Sequence, residues 1–289
     1  MLEEVIVSSR PDRVIRKKLK NPGDYTIVPY EDSRCKIKIT NLACTNHLGK
    51  CEIEPESKVF STNFDGNVLI GDSDFFIDKD FELILQQMCS GETCEVNMVY
   101  RDGSGELVKE ISCDVELKEV TEEQLISDWS WERLMEASIH HKEKGVELVK
   151  EKRILDAFRR FSKALKMVVA IEPIDPEIID EEKAVAITDL KVKLYNNLAH
   201  CQLQYNEYEA ALDLCNRAIK YDPENVKALY RRSLAYTGLE MYVEAWADIQ
   251  RVLQITPAEK AAVQQSRHLK PIIDRINEDY SSVVKKMFS

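Results

Sequence analysis

The chain has 289 residues, 44% of them hydrophobic, and a formal net charge of −11. That length leads one to expect two domains of ordinary size. The apolar content is enough for packed cores and excludes wholesale disorder. So acidic a chain repels nucleic acid and anionic lipid, and neither partner is expected without a concentrated basic patch. No run reaches the ~18 apolar residues of a membrane span. Residues 1–20 carry charges throughout and lack the apolar core of a signal peptide. The expected address is the cytoplasm, with the nucleus also open. Eight cysteines without a C-x-x-C pair read as small buried apolar side chains, not zinc ligands. The one local cluster, Cys44, His47 and Cys51, is too sparse for a four-ligand zinc site. No metal and no cofactor is expected.

In chain order, the basic run of Arg13, Arg16, Lys17, Lys18 and Lys20 reads as a solvated tail. Residues 25–30, 34–43, 93–101 and 107–120 read as strands. Within them Cys35 to Ile39 and Cys113 to Leu117 alternate apolar and polar residues, the period of a half-buried sheet. Asp102-Gly103-Ser104-Gly105 is a hairpin turn. One helix, about 78–88, puts Phe81, Leu85 and Met88 on a single face. An antiparallel sheet wrapped on one helix, of α+β class, is the simplest architecture for residues 1–120. Thr121-Glu122-Glu123-Gln124 then spells a helix-start capping box. Trp129 and Trp131 beyond it are expected to fill the joint between the domains.

The second half is periodic. Pro223 and Pro257 lie 34 positions apart, as do Ala199 and Ser233, and Ala211 and Ala245. A small residue followed twelve later by alanine occurs three times: Gly145 with Ala157, Ala199 with Ala211, Ser233 with Ala245. This resembles the tetratricopeptide repeat, in which two antiparallel helices cross at small side chains. Three helix pairs follow, at about 132–172, 189–223 and 224–257. Some twenty extra residues lengthen the first B helix and the second A helix around a loop. Residues 258–289 are expected to form a capping helix, with Leu269, Ile272, Ile273, Ile276, Tyr280, Val283 and Val284 as its core stripe. Pro271 is expected to bend or restart it.

The A helices resemble the carboxylate-clamp subclass of these repeats, which holds the acidic EEVD tail of cytosolic heat-shock chaperones. Lys142-Glu143-Lys144-Gly145 puts Lys142 on the first clamp position. The next, usually asparagine, is Val146. Asn197 matches the clamp asparagine, and Lys227 and Arg231, four apart, the last two positions. His200, one turn from Asn197, is a further candidate for the groove. Charge-assisted bonds contribute roughly 1.5–3 kcal/mol each, so four suffice for roughly micromolar binding after ordering costs.

The first half resembles the FKBP-type prolyl isomerase domain. The resemblance rests on Ile70-Gly71, the stretch Phe81 to Met88 with Ser90-Gly91-Glu92, Asp114 to Leu117, and Asn21-Pro22-Gly23-Asp24. It implies a proline pocket walled by aromatic and apolar residues. At the positions of that pocket stand Ile39, Ser61, Asp80, Phe81 and Cys113, of which only Phe81 is aromatic. The expectation is therefore a non-catalytic adaptor of the large immunophilin co-chaperone layout. Its repeats would dock a heat-shock chaperone tail, and its first domain would touch a client such as a protein kinase. Two readings compete with it: an active isomerase with a divergent pocket, and a scaffold whose groove takes another partner or none.

Overall fold

The structure is a computed structural model that describes residues 4–50, 53, 57–60, 64–121 and 126–287, apart from the side chains of Lys285 and Lys286. The chain divides into two compact units, Met1–Leu125 and Ile126–Ser289.

The first unit is an antiparallel sheet over one helix. Its strands are β1 (Glu4–Arg10), β2 (Arg13–Asn21), β3 (Arg34–Asn46), β4 (Gly49–Lys50), β5 (Asp65–Leu69), β6 (Thr93–Arg101) and β7 (Leu107–Thr121). Their order is β1-β2-β6-β7-β3-β4, with β5 also on β3. The alternating stretches behave as their pattern predicts: Cys35, Ile37 and Ile39 of β3 point inward, as do Cys113, Val115 and Leu117 of β7. Against them helix α1 (Phe76–Leu85) buries Ile77, Phe81, Ile84 and Leu85. Each such side chain contributes roughly 1.5–3 kcal/mol by leaving water.

Three expectations fail here. The basic run is not a tail but β2, a strand paired on both sides, with β1 and β6. Its pattern was masked by Lys17, which points inward with Ile15 and is neutralised by Glu92 at 2.7 Å. Residues 25–30 form no strand. Asp24 instead accepts hydrogen bonds from the backbone N–H and hydroxyl of Thr26, at 2.9 and 2.6 Å, and turns the chain locally. Just before it, Gly23 lies so close to the segment leading into β6 that a Cβ would stand 2.4 Å from the Ser90 carbonyl oxygen. The 102–105 turn closes as read, with Gly105 N–H donating to the Asp102 carbonyl at 3.0 Å. Six cysteines are free and buried. Cys44 departs from the expectation of thiols, being disulfide-bonded. Cys51 lies outside the described residues.

The second unit is helical: α2 (Trp131–Lys150), α3 (Ile154–Ala170), α4 (Glu181–Gln204), α5 (Tyr208–Tyr221), α6 (Val226–Gly238), α7 (Tyr242–Ile255) and α8 (Lys260–Met287). The small residues sit at the crossings, with Ala157, Ala199, Ala211, Ser233 and Ala245 all fully buried. The turn inside each pair reverses through one left-handed residue: Lys152, Asn206 and Glu240, at φ 62°, 58° and 60°. The extra residues lengthen α3 to 17 and α4 to 24 residues, against 14 and 13 in α5 and α6.

The starts of α2, α4 and α6 are capped by side chains. Ser130 accepts from Arg133 N–H, Asp180 from Lys183 N–H and Asn225 from Ala228 N–H. The cap of α2 is thus Ser130, and residues 122–125 of the expected capping box lie outside the described residues. Trp129 and Trp131 are held in the helical unit's own core. Helix α8 runs unbroken through Pro271. Its stripe is core only in part: Leu269 is fully buried, whereas Ile276, Tyr280 and Val283 are exposed.

Candidate functional site

The three A helices α2, α4 and α6 lie side by side, with α4 touching both of the others. The residues singled out from the sequence are distributed along them. Lys142 on α2 is half-buried, its one ion pair among the described residues a 4.0 Å contact to the exposed Glu143. Val146, one turn on, is 37% exposed. Asn197 and His200 on α4 are half-buried, and Lys227 at the start of α6 is exposed. The approach of α6 to α4 brings His200 and Arg231 within electrostatic reach, for burial and the Arg231 charge both push the His200 pKa down.

Arg231 is the most informative of these side chains. It is half-buried, and the partial desolvation pushes its pKa down, yet arginine stays charged at any ordinary pH. Among the described residues it has no carboxylate partner. Its neighbours are Cys201, Cys215 and the Asn196 amide, whose Oδ1 accepts from Nη1 at 3.3 Å. The adjacent Arg232 shows what pairing looks like here, with two bonds to Asp248 at 2.7 Å. A partly desolvated cation without a counter-ion is costly unless something neutralises it.

Asn196 and Asn225 were not singled out from the sequence. Asn196 is buried and donates to Val192 O at 3.1 Å and to Asn225 Oδ1 at 3.2 Å. Asn225 also caps α6 and donates to Asp222 at 2.9 Å. This amide chain connects Arg231 through Asn196 and Asn225 to Asp222, while Asn197 is half-buried. The Asn196-Asn197 doublet and the N-cap position of Asn225 were the available signals.

The described residues at the positions of the isomerase pocket are buried. Ile39 and Phe81 have no exposed surface and Cys113 is buried, its thiol pushed up by desolvation. Phe60 lies edge-on against Phe81, ring centroids 5.0 Å apart. Asp80 is held inside by Arg13 at 3.1 Å and by the Tyr100 hydroxyl, which donates at 3.1 Å. Burial outweighs the Arg13 charge and raises the Asp80 pKa. A second buried carboxylate, Asp78, accepts from Lys58 N–H at 2.9 Å and from the Ser57 hydroxyl, tying that loop to α1. Ser61 lies outside the described residues.

A sheet-and-helix unit followed by three helical hairpins is the layout of FKBP-like proteins that carry tetratricopeptide repeats. The chain matches such proteins, and residues 192–225 match the Tetratricopeptide repeat family. It is similar to the peptidyl-prolyl cis-trans isomerase FKBP4 of Bos taurus, 31% identical over 64% of this chain and 41% of that protein. Less than half the length of that relative is therefore spanned. It is also similar to the protein Bride of doubletime of Drosophila melanogaster, 25% identical over 91% of this chain and 89% of that one. Among solved structures, residues 1–211 of CG17282 share the fold with a TM-score of 0.53 at 22% identity, over 72% of this chain and 96% of that one.

Proposed function

We propose that this protein is a non-catalytic co-chaperone adaptor whose A-helix groove binds the acidic C-terminal tail of a heat-shock chaperone. The observation that carries this reading is Arg231, a partly desolvated cation with an amide neighbour but no carboxylate among the described residues. An incoming aspartate or terminal carboxylate would complete it with a charge-assisted bond worth roughly 1.5–3 kcal/mol. Lys227 lies one turn away on α6 and Asn197 on the neighbouring helix, so donors of the same kind are at hand. Lys142 supplies a fourth from α2.

The first unit acts in this reading as a surface for a client, a protein kinase being the client class, and not as an isomerase. Support comes from Ile39 and Phe81, which are sealed in the core, and from the carboxylates buried at Asp78 and Asp80. The setting in this reading is the cytoplasm, with the nucleus also open. Fluorescence anisotropy with a labelled EEVD-ended peptide tests the docking step. Arg231→Ala and Lys227→Ala should each weaken binding roughly tenfold or more. Unchanged affinity in both variants would remove the proposal.

A further inference from the structure

Helix α4 extends well beyond its neighbour. By the 34-residue offset Val192 is the counterpart of Val226, the first residue of α6, so residues 181–191 project past α6 with no repeat partner on that side. Their buried face, Ile187, Leu190 and Lys191, belongs to the core of the unit. On another face Glu181, Val185, Thr188 and Val192 follow at steps of four, three and four, one helical stripe. With the end of α5 this stripe encloses a groove of about 470 Å³.

The floor of the groove is apolar and open. Val185 is 63% exposed and Tyr221 42% exposed. Tyr221 is nevertheless fixed. Its ring stacks on Tyr195 at 6.5 Å and its hydroxyl lies 3.0 Å from Lys191 Nζ. That ammonium sits 4.9 Å from the ring centroid and is itself paired with Glu172. An aromatic wall held this way loses little freedom when something docks on it.

The rim is acidic. Glu181, Asp189 and Asp222 border the groove. Asp189 pairs with Lys193, Asp222 accepts from the Asn225 amide at 2.9 Å, and Glu181 has no cationic partner among the described residues. Lys183 is turned away to Asp180 at 2.8 Å and towards the Trp131 ring. Three carboxylates thus border an apolar floor, against Lys193, which pairs with Asp189, and Lys191, which is held behind Tyr221 by Glu172.

We propose that this groove docks a short basic amphipathic segment of a partner protein. An apolar side chain of that segment inserts between Val185 and Tyr221, and its flanking lysines or arginines meet Glu181, Asp189 and Asp222. Its lining does not include Arg231, which reaches the rim only through the Asn196 and Asn225 amides, and its sign excludes the same acidic tail as occupant.

The test uses the full chain and a fluorescein-labelled helical peptide of about 14 residues, roughly four turns. Leucines occupy one face, lysines the rest, and one leucine is replaced by a diazirine photo-leucine. Saturable binding is expected, with cross-links on residues 181–192 and 221–222. Val185→Ser and Glu181→Gln, both at exposed positions, should each weaken it roughly fivefold, while Arg231→Ala leaves it unchanged. Replacing the leucines by serine, or the lysines by glutamate, should abolish it. Wild-type affinity in Val185→Ser, equal binding of the serine peptide, cross-links elsewhere, or no saturable binding would each overturn the proposal.

Discussion

Gly145 offers a sharp test of why the helix pairs cross where they do. Replacing it with alanine places a Cβ 2.5, 2.7 and 2.9 Å from the Cε1, Cδ1 and Cζ atoms of Phe161. Carbon atoms settle at ~3.5–4.0 Å, so the ring or the α2–α3 spacing must give by about 1 Å. Phe161 is only 1% exposed, enclosed in the core with Ala157, Ala164 and Leu148, and has nowhere to go. Overpacking of this kind costs about 1–3 kcal/mol, offset by a helix-propensity gain of roughly 0.5–1 kcal/mol. The net expectation is a loss of up to about 2.5 kcal/mol, or a melting temperature lower by up to roughly 10 °C. Gly145→Ala with Phe161→Leu should show a favourable coupling in a double-mutant cycle. At Gly238 the added Cβ meets Tyr208, a partly exposed side chain that can swing away. Gly238→Ala should therefore be nearly neutral. A Gly145→Ala protein that melts higher than the parent would refute the close-crossing argument.

Other expectations concern the groove and the sheet unit. Val146→Asn restores a donor one turn from Lys142, and tail-peptide affinity should rise roughly tenfold by anisotropy, one charge-assisted bond at the low end of its range. His200 has a depressed pKa in the free protein, so it costs stability as pH falls from its ordinary 6.5 towards the depressed value. A bound carboxylate would offset the Arg231 charge and raise that pKa. Tail binding should then take up a proton and tighten by roughly two- to tenfold between about pH 7.5 and 5.5, and His200→Gln should flatten the profile. In a proline-tetrapeptide assay the full chain should give no acceleration over the uncatalysed rate. Acceleration lost in Phe81→Ala would reverse the non-catalytic reading.

The sequence carried the helical unit more fully than the sheet unit, for physical reasons. Helix crossings demand small residues at fixed offsets, so Gly145, Ala199 and Ser233 mark the fold directly. The left-handed turns at Asn206 and Glu240 repeat the same 34-residue interval. In the sheet, β2 was hidden because Lys17 occupies an inward position that only a distant partner, Glu92, makes tolerable. Residues 25–30 looked like a strand because Ile27, Val28 and Tyr30 satisfy β-propensity, but the Asp24–Thr26 turn overrides it. The exposed end of α8 escaped notice because its stripe repeats at core spacing, and repetition alone does not say what covers it. Of the groove, Arg231, Lys227 and Asn197 were legible as types at spacings. The amide chain from Arg231 through Asn196 and Asn225 depends on the contact between α4 and α6 and has no local signature.

The central claim is that the face around Arg231 neutralises a partner's terminal acid. Isothermal titration of the full chain with an EEVD-ended peptide, run beside the same peptide amidated at its C-terminus, tests this most directly. The account predicts roughly micromolar binding of the free acid, weakened by salt, by amidation and by Arg231→Ala. Equal affinity for the two peptides, or binding indifferent to Arg231, would contradict it.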